Sequence, residues 1–298
     1  MAGNQRVYKA RIKSTQSLKK IFRAMELIAA SRIGKARAAA AATQPYADAI
    51  TSAVGAAATH SNFDHPLTSD RTDTNRVAVL AVTSDRGMAG AYSATVLRET
   101  ETLIARLTAE GKEVDLYVTG RRGLSYYQFR GREIVRSWAG KSDAPSADEA
   151  REIADTLLDS FLAKTEEGGV AAMYVVYTHF VNMVTQTPRV VRLLPLEVVD
   201  VEVEKGAEEA YPLYEFEPSP ETVLDELLPR YVRSRIYSFL LEASASELAA
   251  RQRAMHTATD NAEDLIRMYT RLANSARQAE ITQEISEIVS GADALAGA

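Results

Sequence analysis

Cysteine is absent from all 298 residues, and that single absence removes disulfides, thiolate metal sites and cysteine nucleophiles together. Histidine is nearly as scarce: His60, His65, His179 and His256 are scattered, and none is spaced for a metal or a catalytic triad. No stretch approaches the roughly 18 to 20 apolar residues of a membrane-spanning helix, and the first residues lack the apolar core of a signal peptide. The chain is therefore expected to be soluble and intracellular, reaching any membrane through partners. No phosphate-cradling loop with its trailing lysine and hydroxyl occurs anywhere. Two further absences are local. From Arg230 to Ser290 there is neither glycine nor proline, and Asn4 to Gln44 has no proline and only Gly34.

A backbone without those breakers has no local reason to stop being helical. The C-terminal stretch alone predicts a helix about 90 Å long at 1.5 Å per residue. Within it Met255, Ala258, Ala262, Leu265, Tyr269, Leu272, Ala276 and Ala279 alternate at spacings of three and four. Leu18, Ile21, Met25 and Ile28, then Ile33, Ala36 and Ala40, do the same near the N-terminus. Such a stripe is one edge of a coiled coil and needs a partner. The two ends are expected to pair as one rod, with pairing lost near Gln283, where the stripe turns polar.

Charge is lopsided around a mild net value of −5. Between Arg6 and Arg37 ten basic residues face the single acid Glu26, whereas between Glu197 and Glu226 Lys205 is the one basic residue. The basic run reads as a solvated helix face, as a surface docking on an acidic protein, or as a binder of nucleic acid or anionic lipid.

The middle of the chain follows another pattern. Residues 76–83, 114–118, 133–138 and 173–180 read as strands, with 187–194 available to pair with the last of them. Helices are expected at 93–110, around 122–129 and at 148–165. Alternating strands and helices predict a doubly wound, mostly parallel sheet. The whole divides into an N-terminal coiled-coil helix at 1–58, a Rossmann-like α/β domain at 75–196, an acidic linker and foot at 197–229, and a C-terminal coiled-coil helix at 230–298. A doubly wound sheet invites a nucleotide, but the loop from Ser84 to Tyr92 lacks the glycine spacing of the dinucleotide fingerprint. Gly120-Arg121-Arg122-Gly123 reads as a tight strand-to-helix turn. No catalytic constellation, cofactor site or metal site is visible.

The segment Ile12 to Arg32, with Ser-Leu-Lys-Lys-Ile-Phe-Arg-Ala-Met-Glu at its centre, resembles the N-terminal signature of the gamma subunit of F-type ATP synthases. Ser84-Asp-Arg-Gly-Met-Ala-Gly-Ala-Tyr92 resembles that family's internal loop motif, and Ala258 to Ile266 with Ala276 to Val289 its C-terminal signature. The loop motif usually carries a cysteine and a glycine pair where this chain has Ala89 and Gly90-Ala91. The cysteine-bearing insertion of chloroplast relatives is also missing, which argues against thiol control.

The resemblance implies a non-catalytic central-stalk rotor, whose antiparallel coiled coil enters a ring of alpha and beta subunits. Its α/β domain would rest, with the epsilon subunit, on the membrane-embedded c-ring. It implies a peripheral place on the cytoplasmic side of the cell membrane, with neither nucleic-acid binding nor membrane insertion. Ring contacts would fall to Met25, Arg251, Arg277, Gln278 and Thr282, and c-ring contacts to Tyr214, Phe216 and Glu217. Arg251 stands on a seam position, where it would turn outward, pair with Glu26 or reach an acidic loop. Two other readings stay open: a small-molecule enzyme using the α/β domain, and a coiled-coil adaptor or nucleic-acid binder using the basic helix.

Overall fold

The computed structural model describes residues 2–59, 65–196, 217 and 219–296. Helix α1 runs Ala2–Thr59 and helix α5 runs Pro220–Ala296. Between them lie β1 (Arg76–Val82), α2 (Tyr92–Ala109), β2 (Glu113–Thr119), α3 (Arg121–Phe129), β3 (Arg136–Trp138), α4 (Ala147–Leu162), β4 (Ala172–Phe180) and β5 (Gln186–Leu194). The chain forms two compact units. One joins Met1–Ala30 to Arg251–Ala298, and the other is Ser31–Ala250.

In the α/β unit the strand order is β3-β2-β1-β4-β5, parallel except for β5, which pairs antiparallel with β4 at the edge. The expected pairing of residues 187–194 is present, and Pro188 is tolerated because an edge strand needs fewer ladder donors. β3 is shorter than expected, beginning at Arg136 rather than Glu133. β1 shows why its sequence is apolar throughout. Ala78, Leu80 and Val82 face one core and Val77 and Val79 the other, so both sides of the strand are dry. The first core is closed by Ile153, Leu157 and Phe161 of α4 and by Leu228, Val232, Ile236 and Phe239 of α5; the second by Val96, Ile104 and Leu107 of α2 with Tyr127 of α3.

Both long helices pass through prolines, Pro45 in α1 and Pro229 in α5, and α5 begins ahead of the expected residue 230. An interior proline costs about 3 kcal/mol. Around Pro229 the buried Leu224, Leu228 and Val232 are at most 1% exposed. Burying each contributes about 1.5–3 kcal/mol, which outweighs the lost hydrogen bond. Conversely α4 ends at Leu162, short of the expected Thr165. Arg71 Nη1 donates to the carbonyls of Phe161 (2.6 Å) and Ala163 (2.8 Å), satisfying acceptors that the helix end leaves open.

Side chains tie the helices to the sheet within this unit. Ile33 of α1 packs with Leu248 and Ala249 of α5 and with Phe180, and Arg37 lies over the Phe180 ring at 6.0 Å. Arg32 pairs with Asp143 in the loop before α4. His179 of β4 bonds Glu242 of α5, and Ser246 Oγ donates to the Thr178 carbonyl at 3.0 Å.

Candidate interaction surfaces

The two-helix unit is an antiparallel pair. Tyr8 stacks on Tyr269 with centroids 6.4 Å apart, Lys19 bonds Glu263 at 3.2 Å, and Glu26 meets His256 at 3.2 Å, so rising numbers in α1 match falling numbers in α5. Arg11 adds a guanidinium 5.6 Å from the centre of the Tyr269 ring. Lys19 holds the Glu263 carboxyl below the usual carboxylate range, with help from Arg267.

Burial defines the seam, and it corrects the expected register. On α1 the inward file is Tyr8, Ile12, Thr15, Lys19, Phe22, Glu26 and Ala29, one residue along from the predicted Leu18, Ile21, Met25 and Ile28. Ala29 is 1% exposed, whereas Leu18, Ile21 and Ile28 are 45%, 52% and 54% exposed. On α5 the file passes through Met255, Thr259, Ala262, Ile266, Tyr269 and Ala273. Leu265 and Leu272, both expected inside, lie on its outer flank at 42% and 39%. The seam thus mixes small, polar and aromatic residues with Ile12, Met255 and Ile266, while Leu18, Ile21, Ile28, Leu265 and Leu272 face outward. Besides Lys19, two buried charges sit in it: Glu26, bonded by Arg23 at 2.9 Å and by His256, and Arg251, 6% exposed. Of the three arrangements open to Arg251, turning outward is the one its burial excludes.

The remaining expected contact residues fall as follows. Met25 is half-buried; Arg277, Gln278 and Thr282 are exposed. Glu217 is exposed, while Tyr214 and Phe216 lie outside the described residues. Burial on α5 ends at Glu280, close to where the polar turn at Gln283 predicted it; beyond it every residue described is exposed. There Ile281, Ile285, Ile288 and Val289, 46–71% exposed, line one face at spacings of four and three. This stripe lies outside the predicted seam. Its signal was an apolar series continuing beyond the residues that a partner helix could cover.

In the α/β unit the crevice beyond the carboxyl ends of β1, β2 and β3 is where such sheets usually bind ligands. Here Leu240 and Ala243 of α5 and the loop through Lys141, Ser142 and Pro145 fill it, leaving a cavity of about 20 Å³. That holds one water, not a nucleotide. Asp85, in the loop after β1, accepts from the backbone N–H groups of Ser142 (2.9 Å) and Arg121 (3.2 Å). Burial works to raise its pKa, but backbone donors at Ser142, Gly140 and Arg121 outweigh it and hold the carboxyl below the usual range. The Gly120 turn is tight because a Cβ there would meet the Thr83 carbonyl oxygen at 2.2 Å. Among the described residues no group of three or more His, Asp or Glu could hold a metal, and no helix is long and apolar enough to cross a membrane.

The same fold occurs among solved ATP synthase chains. It superposes on a chain of the Euglena gracilis mitochondrial ATP synthase (OSCP/F1/c-ring) with a TM-score of 0.68 at 15% identity, covering 99% of this chain and 95% of that one. A central-stalk/c-ring chain from Tetrahymena thermophila gives 0.57 at 22%, covering 80% and 99%. Residues 4–295 match the family model described as ATP synthase. The ATP synthase gamma chain of Beutenbergia cavernae is 70% identical over 296 residues, 99% of each chain, and that of Kineococcus radiotolerans 60%, covering 99% and 98%. The chain belongs to the ATP synthase gamma-chain family. It is thus a component of a membrane-associated complex, the central-stalk rotor subunit of F-type ATP synthase, whose turning couples proton flow to ATP synthesis and hydrolysis.

Proposed function

We propose that the two-helix unit turns within a ring of alpha and beta subunits, that the α/β unit and the 197–229 segment serve the epsilon subunit and the c-ring, and that the chain itself catalyses nothing. The supporting observation is the stripe of Ile281, Ile285, Ile288 and Val289, large aliphatics that α1 leaves uncovered. A helix in water does not keep such a face dry by itself; an apolar sleeve would. Arg277, Gln278 and Thr282 adjoin that stripe and supply its polar contacts, Arg277 as a planar fork for a carboxylate. Met25 contributes its half-exposed edge, and Arg251, being buried, carries the least weight. Glu217, with Tyr214 and Phe216, belongs to the c-ring contact. One shaft touching three identical beta subunits unequally holds each in a different conformation, which is population shift by differential contact. In this reading the chain lies peripherally on the cytoplasmic side of the cell membrane. The filled crevice of the α/β unit accords with chemistry belonging to the partners.

The test is the double substitution Arg277→Ala/Gln278→Ala in reconstituted complex. Both side chains are exposed, and alanine is the better helix former. The free subunit should melt as before, within about 0.5 kcal/mol. Loss of a charge-assisted hydrogen bond, about 1.5–3 kcal/mol, slows ATP hydrolysis roughly tenfold or more when it acts in the rate-limiting state. Normal turnover with a lowered melting point would assign both residues to structure.

A further inference from the structure

Residues 121–136 carry Arg121, Arg122, Arg130, Arg132 and Arg136 against the single acid Glu133, in a chain of net charge −5. Two of these arginines, Arg122 and Arg130, line one concavity together with Arg98. α2 and α3 border a groove of about 890 Å³ in the α/β unit. Its apolar lining includes Leu97 of α2 with Tyr126 and Phe129 of α3. Phe129 is 93% exposed, more than any other large hydrophobic side chain among the described residues. The Arg130 guanidinium lies 4.7 Å from the Tyr126 ring centre. The one acid of the groove, Glu101, is already engaged by Arg130 at 3.7 Å and Arg132 at 3.4 Å. Arg98 and Arg122, both exposed, form no ion pair among the described residues.

We propose that this groove docks an acidic, amphipathic segment of another protein chain. An apolar residue of that segment seats against Phe129 and Tyr126, and its carboxylates bond Arg98 and Arg122. The planar guanidinium fork suits carboxylates and keeps its charge at any physiological pH. An aromatic floor flanked by arginines has the composition of an interface centre, where Tyr, Phe and Arg are enriched. The concavity favours an inserted segment over a flat lipid surface. α3, nine residues long, spans about 13 Å, room for two turns of a docked helix. This surface is separate from the ring contacts, which lie in the other unit, and stands whether or not they hold.

The experiment uses the assembled, membrane-bound complex with Phe129→p-benzoylphenylalanine, irradiated and mapped by mass spectrometry. The expected result is a cross-link to one segment of another chain rich in Asp and Glu, its yield falling about tenfold in the Arg98→Glu/Arg122→Glu background. Melting of the free double variant, unchanged because both positions are exposed, shows that the loss is not unfolding. A cross-link to a basic or neutral segment, or one indifferent to the charge reversal, overturns the proposal. So does the absence of any cross-link in an intact, ATP-hydrolysing complex. Labelling of lipid, with binding of the free chain to phosphatidylglycerol vesicles lost on charge reversal, would make the patch a membrane contact and also overturn it.

Discussion

Placing an aspartate at two adjacent positions of α1 separates the inside of the shaft from its outside. Ala29 is 1% exposed and Ile28 is 54% exposed. Asp is an equally poor helix former at either site, so its propensity cost cancels in the comparison. At position 28 the loss is the partial burial of an isoleucine, under half of the roughly 2–3 kcal/mol that full burial contributes, hence about 1 kcal/mol. At position 29 a carboxylate enters the seam one turn from the buried Glu26, a like charge that repels it. A buried, uncompensated charge costs about 3–5 kcal/mol. Ala29→Asp should therefore be more damaging than Ile28→Asp by about 2–4 kcal/mol. Denaturant unfolding followed by far-UV circular dichroism reads the difference, because the two-helix unit is wholly helical. Ile28→Asp should instead be felt in the complex, where a charge on the outer face meets the ring. Equal damage in the free subunit, or greater damage at position 28, would show that the seam runs through Ile28 and that the register described here is wrong.

Gly120→Ala should unfold or prevent expression of the α/β unit, since its Cβ would meet the Thr83 carbonyl oxygen at 2.2 Å at a φ of +88°; a soluble variant with an unchanged melting point would contradict the tight turn. Burial, opposed by Asp225, holds the His65 imidazole below its ordinary value, so the fold favours the neutral ring. The unfolded chain then takes up that proton first, and stability should fall as pH drops below about 6.5, with His65→Gln flattening the slope. With about 20 Å³ free in the crevice, calorimetry of the purified chain should find no ATP or ADP binding tighter than about 10 μM, some −7 kcal/mol.

The sequence made the elements legible wherever one periodicity was unopposed. β1 read as a strand covered on both faces because its run is apolar throughout, and the long helices read as helices because nothing interrupts them. Register was harder. Leu18-Lys19, Ile21-Phe22 and Ile28-Ala29 offer two three-and-four series one residue apart, and hydrophobicity alone favours the aliphatic one. The structure buries the other, since close-packed paired helices accept Ala29 and Ala262 and leave Leu18, Ile21 and Ile28 exposed. The same logic hid the Ile281–Val289 stripe, which looks like seam until the partner helix is seen to run out. Pro229 misled about the start of α5 because tertiary burial, invisible locally, outweighs its cost. The proposed ring-contact residues rest on family resemblance; no spacing rule singles out Arg277 or Gln278 from other exposed helix residues.

Rotation itself is the direct test of the account. With the catalytic ring fixed to a surface and a gold nanorod attached at Lys112, on the α/β unit, addition of ATP should drive the rod in one direction, turn after turn. Rotation should stop when ATP is exhausted. A rod that stays still while the same molecules hydrolyse ATP would contradict the assignment of this chain as the rotor.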